Sequence, residues 1–290
     1  MQKQLRNIIL LLLFLTASCK KDNNEPAPLV VYTIAVDGNQ VTFNNTTTGA
    51  ATWKWDFGDG TTSTEKSPVH IYNGKGKYVP TLYATSTSGV TAEGSTVIRI
   101  SKTSPVKLND NSVADWDTIS QNVITAGPKG GVFKKAKFDY DGQSVYFYVE
   151  ISGKVSDNYI FDFYIDSDND AGTGLLTSLF TGGGYDVLLE GQTLLKPATA
   201  PIPFAMYYHS GAQTSFSFDQ QSGTDFYTLG TVVEGNGVIR FEGKLDRSKI
   251  KRLTGTAIKL GIVATSQDWS AQLGTIPDEG SAAFQLNMPE

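Results

Sequence analysis

The sequence predicts an all-β protein in which a small β-sandwich is followed by a larger, jelly-roll-like one. Three observations carry this expectation. Apolar and polar residues alternate with the two-residue period of strands, as in Trp53-Lys54-Trp55-Asp56-Phe57. Turn-forming residues, among them 29 glycines, punctuate the chain at short intervals. Helical periodicity is almost absent. The 290 residues suit two domains, and 40% hydrophobic and 11% aromatic residues supply material for two cores. With a single cysteine, those cores must be held by packing alone. The net charge of −5, with no Lys/Arg-rich block, lacks the electrostatic footprint of phosphate recognition, so nucleic acid is not an expected partner.

The first 18 residues have the organisation of a secretory signal. Lys3 and Arg6 form a positive start, Ile8 to Leu15 is an unbroken apolar run, and Thr16-Ala17-Ser18 supplies small residues for cleavage. The apolar run is too short to span about 30 Å of hydrocarbon. Small residues followed by Cys19 resemble the lipobox of bacterial lipoproteins, which implies lipid attachment at Cys19 and a tethered protein. The alternative is an ordinary signal peptide with an incidental cysteine. Residues 19–28, with Asn23, Asn24, Glu25, Pro26 and Pro28, have little to bury and read as a flexible spacer. The order Cys-Lys-Lys-Asp-Asn-Asn-Glu resembles lipoproteins of the Bacteroidetes type. That resemblance implies an outer-membrane protein, lipid-anchored and exposed at the cell surface.

Residues 29–102 form the expected first domain. After the aromatic strand at Trp53, Gly58-Asp59-Gly60 forces a turn, and alternation resumes from Gly76 to Ala84 and from Thr96 to Ile100. Trp55-Asp56-Phe57-Gly58-Asp59-Gly60, Ser67-Pro68-Val69-His70-Ile71-Tyr72 and Gly76-Lys77-Tyr78 together resemble the PKD domain, which implies an immunoglobulin-like sandwich. Pro80 departs from that family's apolar strand residue. Because proline cannot donate to a ladder, an edge position or a bulge is expected there. Asp56 and Asp59 are expected to bond turn amides rather than to act chemically. His70 is expected to be packed or hydrogen-bonded. The domain reads as a spacer, although such modules also serve adhesion and accompany enzymes.

Residues 103–290 form the expected second domain. Strands are predicted at Val132–Phe138, Val145–Ile151, Ile160–Ile165, Tyr185–Leu189, Phe204–Tyr208, Phe226–Val233, Val238–Leu245, Ile258–Ala264 and Ala283–Met288. So many strands imply two packed sheets. One short helix is predicted over Asp246–Leu253, closed by Gly255.

The segment from Phe161 to Gly174 runs from an aromatic strand into a carboxylate-rich loop. Asp166, Asp168 and Asp170 at alternate positions can converge oxygen ligands on a structural Ca²⁺. The twelfth position is Thr177, where an EF-hand would have glutamate, so a distant ligand is needed and Asp186 is the candidate. The alternative is a solvated acidic hairpin tip.

Asp115-Trp116-Asp117, Val145 to Val149 after Asp141-Gly142, Tyr164 to Asn169 followed by Thr173-Gly174, and Tyr185-Asp186 resemble the family-nine carbohydrate-binding modules. The resemblance implies sugar binding through exposed aromatic faces. Aromatic rings stack on sugar C–H faces while nearby oxygens and amides bond hydroxyls. Trp269, among Gln267, Asp268, Ser270 and Gln272, is the first candidate; Trp116 and Tyr208, or its neighbour Tyr207, follow.

Non-catalytic polysaccharide binding is therefore the expected function, with adhesion to other surface proteins as the alternative. Catalysis has little material. His70 and His209 are the only histidines, and no nucleophile elbow, zinc motif or phosphate loop is present. A glycan-degrading enzyme would need two of Glu150, Asp162, Asp186, Glu190 and Glu242 at glycosidase separation.

Overall fold

The computed structural model describes residues 26–195, 200–221, 223–253 and 255–289. The expected signal segment, the lipid attachment at Cys19 and most of the spacer lie outside the described residues. Among the described residues, no helix is long and apolar enough to cross a membrane. The chain divides into two compact units. One comprises the chain up to Ile34 with Thr42–Pro68 and Val79–Thr96; the other comprises Ala35–Val41, Val69–Tyr78 and the chain from Val97 onward.

The N-terminal strands are β1 (Tyr32–Asp37), β2 (Gln40–Asn45), β3 (Thr52–Asp56), β4 (Thr62–Ser63), β5 (Val69–Ile71), β6 (Gly76–Tyr78), β7 (Thr81–Thr85), β8 (Thr91–Ser95) and β9 (Ile98–Ile100). They form a four-stranded sheet in the order β4-β3-β7-β8, a three-stranded sheet β1-β2-β5 and the ladder β6-β9. The period of two in residues 53–57 buries Trp55 and Phe57 while Lys54 faces solvent. Trp55 meets the Phe43 ring at 4.8 Å and the edge of Tyr32 at 5.0 Å.

The turn that follows is structural, as expected. Asp56 Oδ1 accepts from the Gly58 amide at 2.9 Å and Asp59 Oδ1 from the Thr61 amide at 3.0 Å. Gly58 has φ +76°, and a Cβ there would lie 2.9 Å from the Val79 nitrogen. His70 is half-buried, with its ring edge-on to Tyr72 at 4.6 Å. Pro80 corrects the expectation of an edge or bulge. It falls in the break between β6 and β7, which belong to different sheets, so no ladder donor is required of it.

The larger region continues with β10 (Val123–Thr125), β11 (Phe133–Tyr140), β12 (Ser144–Ser152), β13 (Ile160–Asp166), β14 (Phe180–Thr181), β15 (Val187–Gly191) and β16 (Ala205–His209). It closes with β17 (Phe218–Gln220), β18 (Tyr227–Gly235), β19 (Val238–Asp246), β20 (Ala257–Thr265), β21 (Gln272–Ile276), β22 (Ser281–Ala282) and β23 (Phe284–Asn287). One sheet has the order β10-β11-β12-β19-β18. The other runs β17-β16-β15-β13-β20-β21, with β23 also pairing β20. Their facing side chains make one core, in which Phe147 meets Phe163 at 5.1 Å and Phe161 meets Phe241 at 5.4 Å. The predicted two-sheet sandwich is present.

The helix predicted over Asp246–Leu253 is not. Only Arg247–Lys249 forms a single 3-10 turn, capped by Asp246 accepting from the Ser248 amide at 2.9 Å. Eight residues cannot offset helix nucleation without tertiary help. Here the help goes elsewhere: buried Arg247 donates Nε to Leu253 O at 3.2 Å and Nη1 to Asp141 O at 2.8 Å.

Candidate functional site

The seven-stranded sheet positions the acidic residues. Along β13 the side chains of Phe161, Phe163 and Ile165 enter the core, so Asp162, Tyr164 and Asp166 stand on the opposite face. Register then aligns them with their neighbours. Asp162 lies opposite Glu190 on β15 and Val263 on β20, and Asp166 lies opposite Lys259 on β20. Asp186 follows one residue outside the last β13–β15 pair, Ile165 with Val187, and its carbonyl accepts from the His209 amide at 2.9 Å.

At this end of the sheet Asp166, Asp168 and Asp186 converge, with one oxygen of each within 4.8 Å of the others. Asp166 is buried; its oxygens accept from the amides of Asp170 at 3.1 Å and Gly184 at 3.3 Å, with Lys259 Nζ 3.6 Å away. Burial holds its carboxyl above the usual range, against the lowering effect of these contacts. Asp186 accepts from the Ser167 amide and hydroxyl, each at 3.3 Å, and is also raised, first by burial and then by the charge of Asp168. Arg252 donates Nη1 to Asp168 at 2.7 Å and lies 3.5 Å from Asp186. The expected distant ligand, Asp186, is thus brought in. Asp170 is not: its Oδ1 accepts from the Gly172 amide at 2.8 Å and caps the turn.

Two glycines make this convergence possible. Gly174 has φ +65°, and a Cβ there would meet the Tyr185 carbonyl carbon at 2.4 Å; a Cβ on Gly184 would meet Thr173 O at 1.9 Å. Their absent side chains let the acidic loop lie against Tyr185-Asp186, where Leu175 and Tyr185 form a bridge. Tyr185 consequently lies outside β15, which begins later than the predicted strand.

The aromatic candidates occupy three separate places. Trp116 is 1% exposed, packed with Val106, Leu108 and Tyr148, and its Nε1 donates to the buried carboxylate of Glu242 at 2.7 Å. A ring closed on both faces has nothing to offer a sugar, which corrects its assignment as a stacking residue. Tyr208 is half-buried at the end of β16; its hydroxyl accepts from the Lys251 amide at 2.8 Å, and Lys251 Nζ lies 4.5 Å from its ring centroid. Its neighbour Tyr207 packs on the opposite face, as the strand period requires.

Trp269 is 46% exposed. It sits in the loop from Ser266 to Ala271, in the left-handed region with φ +63°. For a bulky residue this is a strained conformation. The loop holds it. Asp268 Oδ1 accepts from Ser266 Oγ and Ser270 Oγ at 2.7 Å and from the Ser270 amide at 3.1 Å, and the Trp269 amide donates to Ser266 O at 2.9 Å. These bonds, from Ser270 first and then Ser266, press the Asp268 carboxyl down to about 2. Ile160 pairs with Thr265 at one end of β13, and Asp166 pairs with Lys259 at the other. The Trp269 loop and the Asp cluster are therefore separated by about 20 Å along the strand.

Of the carboxylates considered for catalysis, Asp162 and Glu190 are directly paired across strands. Burial, then the charge of Glu190, pushes Asp162 up to about 7, and burial also raises Glu190. Asp162 Oδ1 and the Oγ1 of Thr275, which pairs with Val263, are buried without hydrogen-bond partners among the described residues. Glu150 is engaged by the Tyr148 hydroxyl at 3.1 Å and Glu242 by Trp116.

A cavity that the sequence did not suggest opens at the β16 end, lined by Ser167, Asp186, Tyr208, His209, Lys251 and Arg252. Its lining residues are scattered in sequence and carry no motif. The adjacent pair Lys251-Arg252 was the one available signal.

Residues 23–100 match the PKD domain family model. A protein described as microbial collagenase from Vibrio alginolyticus is 36% identical over 73 residues, 25% of this chain and 8% of that protein. Collagenase ColA from Clostridium perfringens is 27% identical over 195 residues, 63% of this chain and 16% of that protein. The chain thus spans only 8% and 16% of the curated relatives it matches. Among solved structures, the PKD1 domain of the Vibrio cholerae metalloprotease PrtV is similar, with 33% identity, 26% of this chain and 98% of that chain covered, and a TM-score of 0.25. A structure of carbohydrate-binding modules of promiscuous specificity from the β-sandwich superfamily has 15% identity, covers 77% of this chain and 93% of that chain, and gives a TM-score of 0.28. The chain is a PKD domain followed by a larger β-sandwich.

Proposed function

We propose that the protein is anchored by lipid on Cys19 at the outer membrane's exposed face, and that its C-terminal sandwich binds polysaccharide without catalysis. The PKD domain serves as a spacer. The observation that carries this reading is the presentation of Trp269: a half-exposed indole, held out by a loop whose hydrogen bonds fix it in a strained conformation. Such a ring offers a flat apolar face with little ordering cost on binding, and exposed Asp268 and Gln272 flank it in sequence. A non-catalytic role is supported by the surroundings of the ionisable groups. His70 packs on Tyr72, His209 Nε2 contacts Ser215 O at 3.0 Å, and the Asp162–Glu190 pair is largely enclosed.

Asp166, Asp168 and Asp186 make an all-oxygen donor set suited to a hard divalent cation. Calcium is the proposed ion. Bound there, it would tie the Asp166–Gly174 loop to Asp186, and its role would be structural.

A second reading is favoured by the matches to proteins described as collagenases: the sandwich takes a polypeptide, such as collagen, and acts in adhesion. Retention of the full chain in detergent on a polysaccharide panel, beside immobilised collagen and with Trp269→Ala as the control, separates the two. Glycan retention lost in the variant supports the first; retention on collagen alone supports the second.

A further inference from the structure

We infer that the cavity at the β16 end of the sandwich is a second, separate binding site, for the anionic group of an acidic sugar, either a uronate carboxylate or a sulfate ester. The inference rests on the reading of this sandwich as a glycan binder. It is independent of Trp269, which lies at the other end of β13.

The lining decides the ligand's charge. Lys251 and Arg252 both line it; Arg252 is paired with Asp168 at 2.7 Å and lies 3.5 Å from Asp186, so Lys251 is the cation left to meet a ligand. No carboxylate among the described residues lies within pairing distance of Lys251 Nζ; the ammonium rests instead over the Tyr208 ring, 4.5 Å from its centroid. Tyr208 is fixed by accepting the Lys251 amide at 2.8 Å, which leaves its own hydroxyl proton to donate. Arg252 has φ +65°, a left-handed conformation that places its guanidinium at the cavity wall.

Size and surface decide the ligand's class. The cavity holds about 200 Å³, below the roughly 300–1,000 Å³ of pockets for drug-sized molecules. It suits one ring or its charged substituent. Tyr208 contributes its hydroxyl, and the Lys251 ammonium lies over its ring at the cavity. A small cavity with an ammonium that no described carboxylate pairs, beside a hydroxyl donor, matches a sugar ring bearing one negative group.

The test is affinity electrophoresis of the full chain in detergent through gels carrying polygalacturonate or alginate, carrageenan or dextran sulfate, and neutral galactan or dextran. Retardation by a uronate or a sulfated polymer is expected, and which series retards identifies the anion. Lys251→Gln should weaken that retardation about tenfold, Lys251→Arg should preserve most of it, and retention on neutral gels should not change. Trp269→Ala, by contrast, should weaken acidic and neutral retention alike. The inference is overturned if no acidic polymer retards the chain, if Lys251→Gln leaves acidic retention unchanged, or if it weakens both kinds equally. Retention on neutral polymers alone would overturn it and leave the proposed glycan binding standing.

Discussion

Asp162 and Glu190 face each other across β13 and β15, and one Asp162 oxygen has no partner among the described residues. Burial, then Glu190, raises Asp162 from 3.8 to about 7. Between these values the folded chain binds more protons than the unfolded one. Stability therefore falls as pH rises from about 4 to about 7, by on the order of 2–4 kcal/mol from this group. Asp162→Asn removes the titration and should raise the melting temperature at pH 8 more than at pH 5. Calorimetry at the two pH values checks this, and a pH-independent effect would count against it.

Arg252 sits where a metal ion would draw on the same carboxylates, 2.7 Å from Asp168 and 3.5 Å from Asp186. Replacing it by glutamine removes a competing cation. Arg252 is exposed and its pairing is screened, so the effect is expected near 1 kcal/mol, a several-fold gain in calcium affinity by titration calorimetry. Asp166→Asn with Asp168→Asn should abolish the rise in thermal stability on adding calcium.

Gly184 allows the acidic loop to close on Asp186, with room for no Cβ beside Thr173 O. Gly184→Ala should cost about 1–3 kcal/mol and weaken calcium binding together, since both depend on the same approach. Denaturation with and without calcium reads the two effects.

Trp116 and Glu242 form a buried pair at 2.7 Å. Trp116→Phe keeps most of the packing and leaves the carboxylate without its donor, at an expected cost of about 1–3 kcal/mol. Trp116→Ala adds a cavity and should cost about 3–5 kcal/mol. Glycan retention of the Phe variant should be unchanged, as its ring has no route to solvent.

The strand period made most of the fold legible. Trp55 and Phe57 are buried as their alternation requires, and the β13 pattern places Phe161 and Phe163 in the core with Asp162 and Asp166 opposite. The convergence of Asp186 with Asp166 and Asp168 was also legible, because Gly184-Tyr185-Asp186 follows the loop closely. What the sequence hid was long-range. Asp246–Leu253 reads as a helix until Arg247 is seen to be buried against Asp141, more than a hundred residues away in sequence. Trp116 and Trp269 both lie among polar neighbours, and only packing against Tyr148 and Glu242 distinguishes the enclosed ring from the exposed one. The cavity at Lys251 joins residues from four separate segments, which no local pattern announces.

Hydrogen exchange of the full chain, in detergent and with the best-retained polysaccharide at saturation, tests the central claim most directly. Polysaccharide binding by the C-terminal sandwich at Trp269 predicts protection of the amides from Ser266 to Gln272, lost in Trp269→Ala. Protection confined to residues 26–100, or no protection anywhere in the sandwich, would contradict it.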